Sequence, residues 1–350
     1  MKAIKLYGKE DIRIVEVSMP KITDNEILLK VEAAGICGTD IKNWKYGHKD
    51  SNADRPITMG HEVSGKITKV GKHVPFYKVG MRIAIAPNIG CGICDICVSG
   101  NTHMCADSHK AFGININGAF AEYMVITEDA ISQGNLIVIP DSVTPEEAAM
   151  NEPLSCAYNG VLKCDVKAGD IALVIGAGPI GLMIAMLLKM LGASKVILND
   201  ISEDRLSEAK KVVPGILTYC GDNLYDFVMK HTKGKGVDIA LTANPVAQVQ
   251  NDVLKLMNYF GRVNYFGLIP AVQQPVPVDT NLIHSKEITV LGTTKSSIAH
   301  FRKTLEFVSS GMLPIKNVVT HEYSIDKGLE AFENAKLGKG LKHVIRFDSK

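Results

Sequence analysis

Four cysteines within fifteen residues, Cys91, Cys94, Cys97 and Cys105 in the run C-G-I-C-D-I-C-V-S-G-N-T-H-M-C, constrain this chain more than any other stretch. Thiolates that converge in space make a tetrahedral S4 site, which suits zinc and leaves no open coordination position. A closed site of that kind braces a loop and does no chemistry itself. Disulfides are a second reading, but the N-terminus M-K-A-I-K-L-Y-G-K-E-D carries no apolar signal segment, which argues against an oxidising compartment. An iron–sulfur cluster is a third, although Ala106 follows Cys105 where the best-known ferredoxin runs have proline. Cys156, Cys164 and Cys220 lie among apolar residues and read as small buried side chains.

A chain of 350 residues has room for two domains. With 46% hydrophobic and 22% charged residues it has the balance of an ordinary globular protein. The net charge of +2, with Lys and Arg spread evenly, gives no nucleic-acid surface. Its longest apolar run, 180–188, falls well short of the roughly 20 residues that cross a bilayer. The expectation is a cytosolic protein that meets a small molecule, with neither nucleic acid nor membrane as partner.

Up to about residue 150 the pattern is mainly strands, at 26–34, 63–70, 82–86 and 121–126, each rich in β-branched residues and bounded by Gly or Pro. Thr144-Pro145-Glu146-Glu147 then opens a helix, with Thr144 as N-cap and Glu147 completing a capping box. From Gly169 the rhythm changes. Strands at 171–175, 195–198, 216–219, 237–242, 262–266 and 288–291 alternate with helices, one at 179–191 ended by Gly192 and another capped by Ser202. Six such strands predict an α/β, doubly wound parallel sheet. The tail holds helices at 301–309 and 327–335 and a strand at 343–347; periodicity does not assign it to either domain.

Gly176-x-Gly178-x-x-Gly181 sits between a predicted strand and a predicted helix, with an acid nineteen residues past the last glycine at Asp200. Gly176 permits the tight turn, Gly178 lets backbone approach a pyrophosphate, and Gly181 lets helix and strand pack closely. Pro179 and Ile180 open the helix whose positive end receives the phosphates. Asp200 is placed to accept ribose hydroxyls and to repel a 2′-phosphate, so NAD is preferred and NADP possible. Arg205 qualifies that preference, because it could stack on adenine or soften the rejection of a phosphate.

Candidates for a second metal position are Cys37 in G-I-C-G-T-D, His61 and Glu62 in M-G-H-E-V-S-G, and Glu152 in N-E-P-L-S. One thiolate, one imidazole and one or two carboxylates make a catalytic zinc shell with room for water or substrate. Singly, they also read as a buried thiol, a satisfied imidazole and surface carboxylates. Adjacent residues on a regular strand face opposite sides, so His61 and Glu62 share a metal only if Gly60 marks a bend. Pro153 should hold Glu152 in an extended conformation.

The combination of G-I-C-G-T-D, G-H-E, the C-x2-C-x2-C-x7-C lobe, E-P-L-S and V-I-G-A-G-P-I-G resembles the zinc-dependent medium-chain dehydrogenases, in order and interval over nearly the whole chain. Within them it looks most like the sorbitol (polyol) dehydrogenase branch. The resemblance implies a GroES-like, β-rich catalytic domain at 1–153 and 293–350, with a Rossmann dinucleotide domain at 154–292 between. It implies two zinc ions per subunit: a catalytic one on Cys37 and His61, with Glu62 and Glu152 in or beside its shell, and a structural one on Cys91, Cys94, Cys97 and Cys105. The implied reaction is NAD-linked oxidation of a secondary alcohol of a polyol (sorbitol or L-iditol) to a ketose, in a homodimer or homotetramer. Thr39 would take the first proton, with Glu152 or water beside it as the alternative base.

Departures from the family pattern bear on substrate and proton route. Lys42 stands where many relatives have a proton-exit histidine, Asn43 replaces an aromatic residue, and Lys295 takes the place of an arginine near the polyol. Ala243-Asn244-Pro245 replaces a small-Gly sequence after the fourth strand of the nucleotide fold. Lys295 and His48 suit an anionic substrate, so threonine, butanediol and polyol-phosphate dehydrogenases are the alternatives. A catalytically silent dinucleotide sensor and a zinc-free quinone reductase are the other readings; the full ligand set opposes the first and the four-cysteine lobe the second.

Overall fold

The computed structural model describes residues 1–107 and 109–347. It divides into two compact units: Met1–Ser155 with Ser296–Gly311 and Ile315–Lys350, and Cys156–Lys295 with Met312–Pro314.

The first unit is built on a seven-stranded sheet. Its order runs Leu136–Val138, Arg82–Ile85, Glu62–Val70, Ile27–Gly35, Lys342–Arg346 and Val319–Ser324, with Tyr123–Ile126 also paired to Ile27–Gly35. Ile27–Gly35 is central because it alternates buried apolar residues with partly exposed ones before closing on Ala33-Ala34-Gly35. Ile27, Leu29, Val31, Val63, Ile67, Ile83, Phe120 and Phe332 pack into one core against it. The tail belongs here: Lys342–Arg346 pairs antiparallel with Ile27–Gly35, Val344 lying opposite Gly35. A smaller sheet joins Asp11–Glu16, Lys2–Gly8 and Ile57–Thr58. None of these three strands is expected from the sequence, and the first two meet in a tight turn. The turn between them uses Glu10 in the left-handed region (φ 59°), where glycine or asparagine is the usual signal.

The second unit is a six-stranded sheet in the order Leu217–Tyr219, Lys195–Asn199, Ile171–Ile175, Val237–Thr242, Met257–Tyr265 and Thr289–Gly292, every neighbouring pair parallel. In chain order this is 3-2-1-4-5-6, the doubly wound arrangement in which ligands bind where the order reverses. That point lies between Ile171–Ile175 and Val237–Thr242. Helix Pro179–Met190 buries every residue from Gly181 to Leu188. It ends on Leu191 and Gly192, the latter at φ 103°. The fifth strand begins at Met257, five residues before the expected start, through a register irregularity opposite Val237 and Ile239.

Two expectations are corrected. Glu152 is helical, in the first turn of Asn151–Lys163, because Pro153 there lacks only an N–H that the start of a helix leaves unused anyway. Cys220 is exposed and Cys156 partly so; of the three cysteines read as buried, only Cys164 is. Among the described residues no helix is long and apolar enough to cross a membrane.

The cap expected at Thr144 is formed: its hydroxyl accepts the Glu147 N–H at 3.3 Å, and Glu147 accepts the Thr144 N–H at 2.9 Å. Thr144→Ala should cost about 1 kcal/mol of stability, measured as a shift in the denaturant midpoint at unchanged slope.

Candidate active site and metal centres

Cys37 ends the segment after Ile27–Gly35 and caps the helix Gly38–Tyr46. His61 immediately precedes the strand Glu62–Val70. The bend required for His61 and Glu62 to share a metal is present, with Gly60 at φ 92° packed so closely on Phe120 that a Cβ would clash. One ligand atom from each of Cys37, His61 and Glu62 then lies within 4.8 Å of the others. The three donors suit zinc with a coordination position left open. The Glu62 Oε2 atom is buried and has no hydrogen-bond partner among the described residues, as fits a carboxylate waiting for a cation.

Two further residues hold this trio, and sequence reasoning missed both. The Asp40 carboxylate is fully buried; its Oδ2 accepts the Cys37 N–H at 2.9 Å and its Oδ1 lies 3.6 Å from His61 Nδ1. A carboxylate behind one imidazole nitrogen orients the ring and leaves the other nitrogen for a metal. Burial opposes protonation of His61, but the charges of Asp40 and Cys37 beside it outweigh that effect and hold the imidazole well above its usual pKa. A metal would have to displace that proton.

The second is Lys342, buried, with Nζ 2.5 Å from Glu62 Oε1. Burial works against its charge, yet Glu62, Cys37 and Glu152 together raise its pKa. Room for the pair comes from Gly35, where a Cβ would run into the Glu62 carboxylate and Met150. One signal was present: Lys342 opens the strand K-H-V-I-R two residues before Val344, on the face of the residue paired with Gly35.

Of the other predicted residues, Glu152 is buried but stands outside the converging trio. Carried in a helical first turn, its carboxylate acts on Lys342 and does not join the other three donors. Thr39 is exposed in the first turn of Gly38–Tyr46. Lys295 adopts a left-handed backbone (φ 56°), its carbonyl held by Asn159 Nδ2 at 3.0 Å. Its side chain is exposed, while surrounding protein desolvates the ammonium enough to lower its pKa against the pull of Cys156.

Cys91, Cys94, Cys97 and Cys105 converge as a second group. The Cys91–Cys97 and Cys94–Cys105 sulfur separations are 3.9 and 4.0 Å, far beyond a disulfide bond. They approach the edge of an S4 tetrahedron around zinc, roughly 3.8 Å for a Zn–S bond of about 2.3 Å. Two backbone N–H groups already donate to sulfur: Cys91 to Cys105 at 3.3 Å and Cys94 to Cys91 at 3.4 Å. Against the lowering by a Cys97 backbone hydrogen bond, desolvation and the neighbouring thiols raise the Cys94 pKa. A bound cation reverses this, since coordinating thiols ionise.

In the second unit, Gly176 and Gly181 are buried, whereas Gly178, Pro179 and Ile180 stay partly open. A Cβ on Gly181 would strike the Gly176 carbonyl, while one on Gly178 would meet nothing within 4 Å. The turn is therefore tight where it packs and vacant where a pyrophosphate would lie. Asp200 follows Lys195–Asn199 as expected, and it also ties down the backbone around it. Its Oδ2 accepts the Ala177 N–H at 2.6 Å and its Oδ1 the Ser202 N–H at 2.9 Å. Arg205 is partly exposed, and its N–H donates to the Ser202 cap.

Comparison with known proteins agrees with this geometry. Residues 23–140 match the alcohol dehydrogenase GroES-like domain and 179–310 the zinc-binding dehydrogenase domain. The sorbitol dehydrogenase of Bacillus subtilis is 32% identical over 338 residues, covering 96% of this chain and 93% of that enzyme. The L-threonine 3-dehydrogenase of Legionella pneumophila (strain Corby) is 32% identical over 353 residues, 99% of this chain and 100% of that enzyme. A zinc-binding dehydrogenase structure from Sinorhizobium meliloti 1021, bound to NADP, superposes with a TM-score of 0.88 at 29% identity, covering 99% of this chain and 98% of that one. The chain belongs to the zinc-dependent medium-chain dehydrogenases, in their sorbitol-dehydrogenase-like branch, and is an oxidoreductase.

Two outcomes follow for the metals and their neighbours. Cys37→Ser should abolish turnover while the protein stays folded and still binds NADH, whereas Cys94→Ser should unfold more easily; metal content and thermal denaturation of both variants check this. Lys342→Met strands a buried carboxylate at Glu62, so zinc-depleted protein should lose about 3–5 kcal/mol in denaturant titration, and less once zinc is restored.

Proposed function

We propose that this enzyme oxidises a secondary alcohol of a polyol to the ketone, using NAD and two zinc ions per chain. The observation that carries the reading is the trio Cys37, His61 and Glu62, neutralised in part by Lys342 and oriented by Asp40. A zinc ion held there supplies Lewis acidity, a device able to shift the pKa of a water by roughly nine units, or about 12 kcal/mol. A nicotinamide dinucleotide on the Gly176–Gly181 turn supplies the hydride acceptor. Thr39, with its exposed hydroxyl two residues after Cys37, would relay the first proton, accepting it as it passes its own hydroxyl proton on towards the cofactor ribose. Glu152 is the alternative base, and gives a diol a second acceptor for its neighbouring hydroxyl. Cys91, Cys94, Cys97 and Cys105 hold the second zinc and brace their loop. Asp200 favours NAD by placing its negative charge where a 2′-phosphate would lie; the NADP found with the S. meliloti relative makes this a choice to be measured.

A second reading, a substrate bearing a carboxylate or phosphate as in threonine or a polyol phosphate, is favoured by one observation. Lys295 stands exposed on a left-handed turn held by Asn159, where its ammonium can meet an anionic group. Pairing of chains in a homodimer or homotetramer is part of the same proposal, with the exposed edge strand Thr289–Gly292 as its contact.

The test is a panel of polyols, polyol phosphates, threonine and butanediol, each assayed with NAD and NADP on protein of known zinc content. The expected outcome is a polyol and NAD giving the highest kcat/KM at two zincs per chain, by about tenfold or more, equivalent to roughly 1.4 kcal/mol. A threonine or phosphate ester at the top would transfer the assignment to the second reading.

A further inference from the structure

The turn that begins the dinucleotide site is clamped peptide by peptide before it reaches the open glycine. The Gly176 N–H donates to Asn199 O at 2.7 Å, and the Ala177 N–H donates to Asp200 Oδ2 at 2.6 Å. Both clamps come from one side of the sheet, the exit of Lys195–Asn199. The carbonyl of Ile175 is held from the opposite side: it accepts the Ala243 N–H at 2.7 Å and Asn244 Nδ2 at 3.1 Å.

Asn244 follows the strand Val237–Thr242, so its side chain spans the gap at which the strand order reverses. It is half-buried and its own position is fixed. The Val246 N–H donates to Asn244 Oδ1 at 3.1 Å, and Gly267 packs so closely that a Cβ there would strike the Asn244 carbonyl. The Gly267 N–H in turn donates to Thr242 O at 2.7 Å. The Asn244 side-chain amide therefore ties the turns after the first and fourth strands together, and Gly267, after the fifth strand, packs against the backbone of the same residue.

We infer that Asn244 is a positioning residue for the dinucleotide: it locks the Ile175–Gly176 peptide so that the N–H groups from Gly178 onward face the pyrophosphate. It need not touch the cofactor. Its partners are all backbone groups at the switch point, where open α/β sheets bind their ligands. Preorganised donors bind an anion more tightly than donors that must be ordered on binding. A residue that serves only the fold would affect stability and leave dinucleotide affinity alone.

The test uses full-length, zinc-loaded protein and titrates NADH and NADPH separately by nicotinamide fluorescence, with thermal denaturation and steady-state kinetics alongside. Asn244→Ala should weaken whichever dinucleotide the wild type prefers by about fivefold to tenfold and raise its KM in proportion. At saturating cofactor kcat should stay within about twofold, and Tm within about 3 °C. Asn244→Ser is the companion variant: its hydroxyl can still accept the Val246 N–H, but cannot reach Ile175 O. It should weaken binding as alanine does, and it decides the matter if the alanine variant fails to fold. Dinucleotide affinity within twofold of wild type in the folded serine variant overturns the inference, as does a loss of Tm without a loss of affinity in the alanine variant.

Discussion

Balance of buried charge governs the first metal position. Cys37, Asp40 and Glu62 can each carry a negative charge in a pocket nearly closed to water, and Lys342 is the permanent cation among them. Glu152 is a further buried acid whose charge acts on Lys342, so the acids here outnumber the one lysine, which suits a divalent cation. Against the effect of burial, Asp40 and Cys37 act on His61 in the same sense, raising its pKa. The backbone serves this balance directly. Gly35 gives up a side chain so that the Glu62 carboxylate can fold back over it, and the Gly60 bend turns His61 towards the same point.

At the glycine turn a buried carboxylate is matched by backbone N–H groups instead of a cation. Asp200 is usually read as a contact for the ribose, and its placement after the second strand supports that. Yet both its oxygens already accept backbone N–H groups, one from the turn itself and one from the start of the next helix. A single carboxylate thus shapes the cradle through two backbone N–H groups, so a change there alters the turn and the start of the next helix together.

What could be read from the chain and what could not follows from the distance over which each feature acts. The four-cysteine lobe and the caps at Thr144 and Ser202 are local: each draws its partners from one short stretch of chain, and each formed as its spacing implied. The six parallel strands were legible because buried strands read as continuous apolar runs. Glu152 was misjudged because a proline was taken to exclude helix, whereas in a first turn it does not. Lys342 and Asp40 were missed for a different reason. A lysine near the end of a chain and an aspartate inside a helix both look solvated until the sheet is assembled, and only the pairing of Lys342–Arg346 with Ile27–Gly35 shows the lysine to be inside.

That pairing also sets a schedule for biosynthesis. Lys342 lies 280 residues after Glu62, with the whole nucleotide-binding unit encoded between them. At translation speeds of about 5–20 residues per second, an emerging Glu62 waits roughly 15–55 s for its counter-ion. Until then the nascent sheet has an open edge at Ala33–Gly35, since Tyr123–Ile126 covers only Ile27–Lys30, and an unbalanced acid beside it. An open sheet edge invites wrong partners.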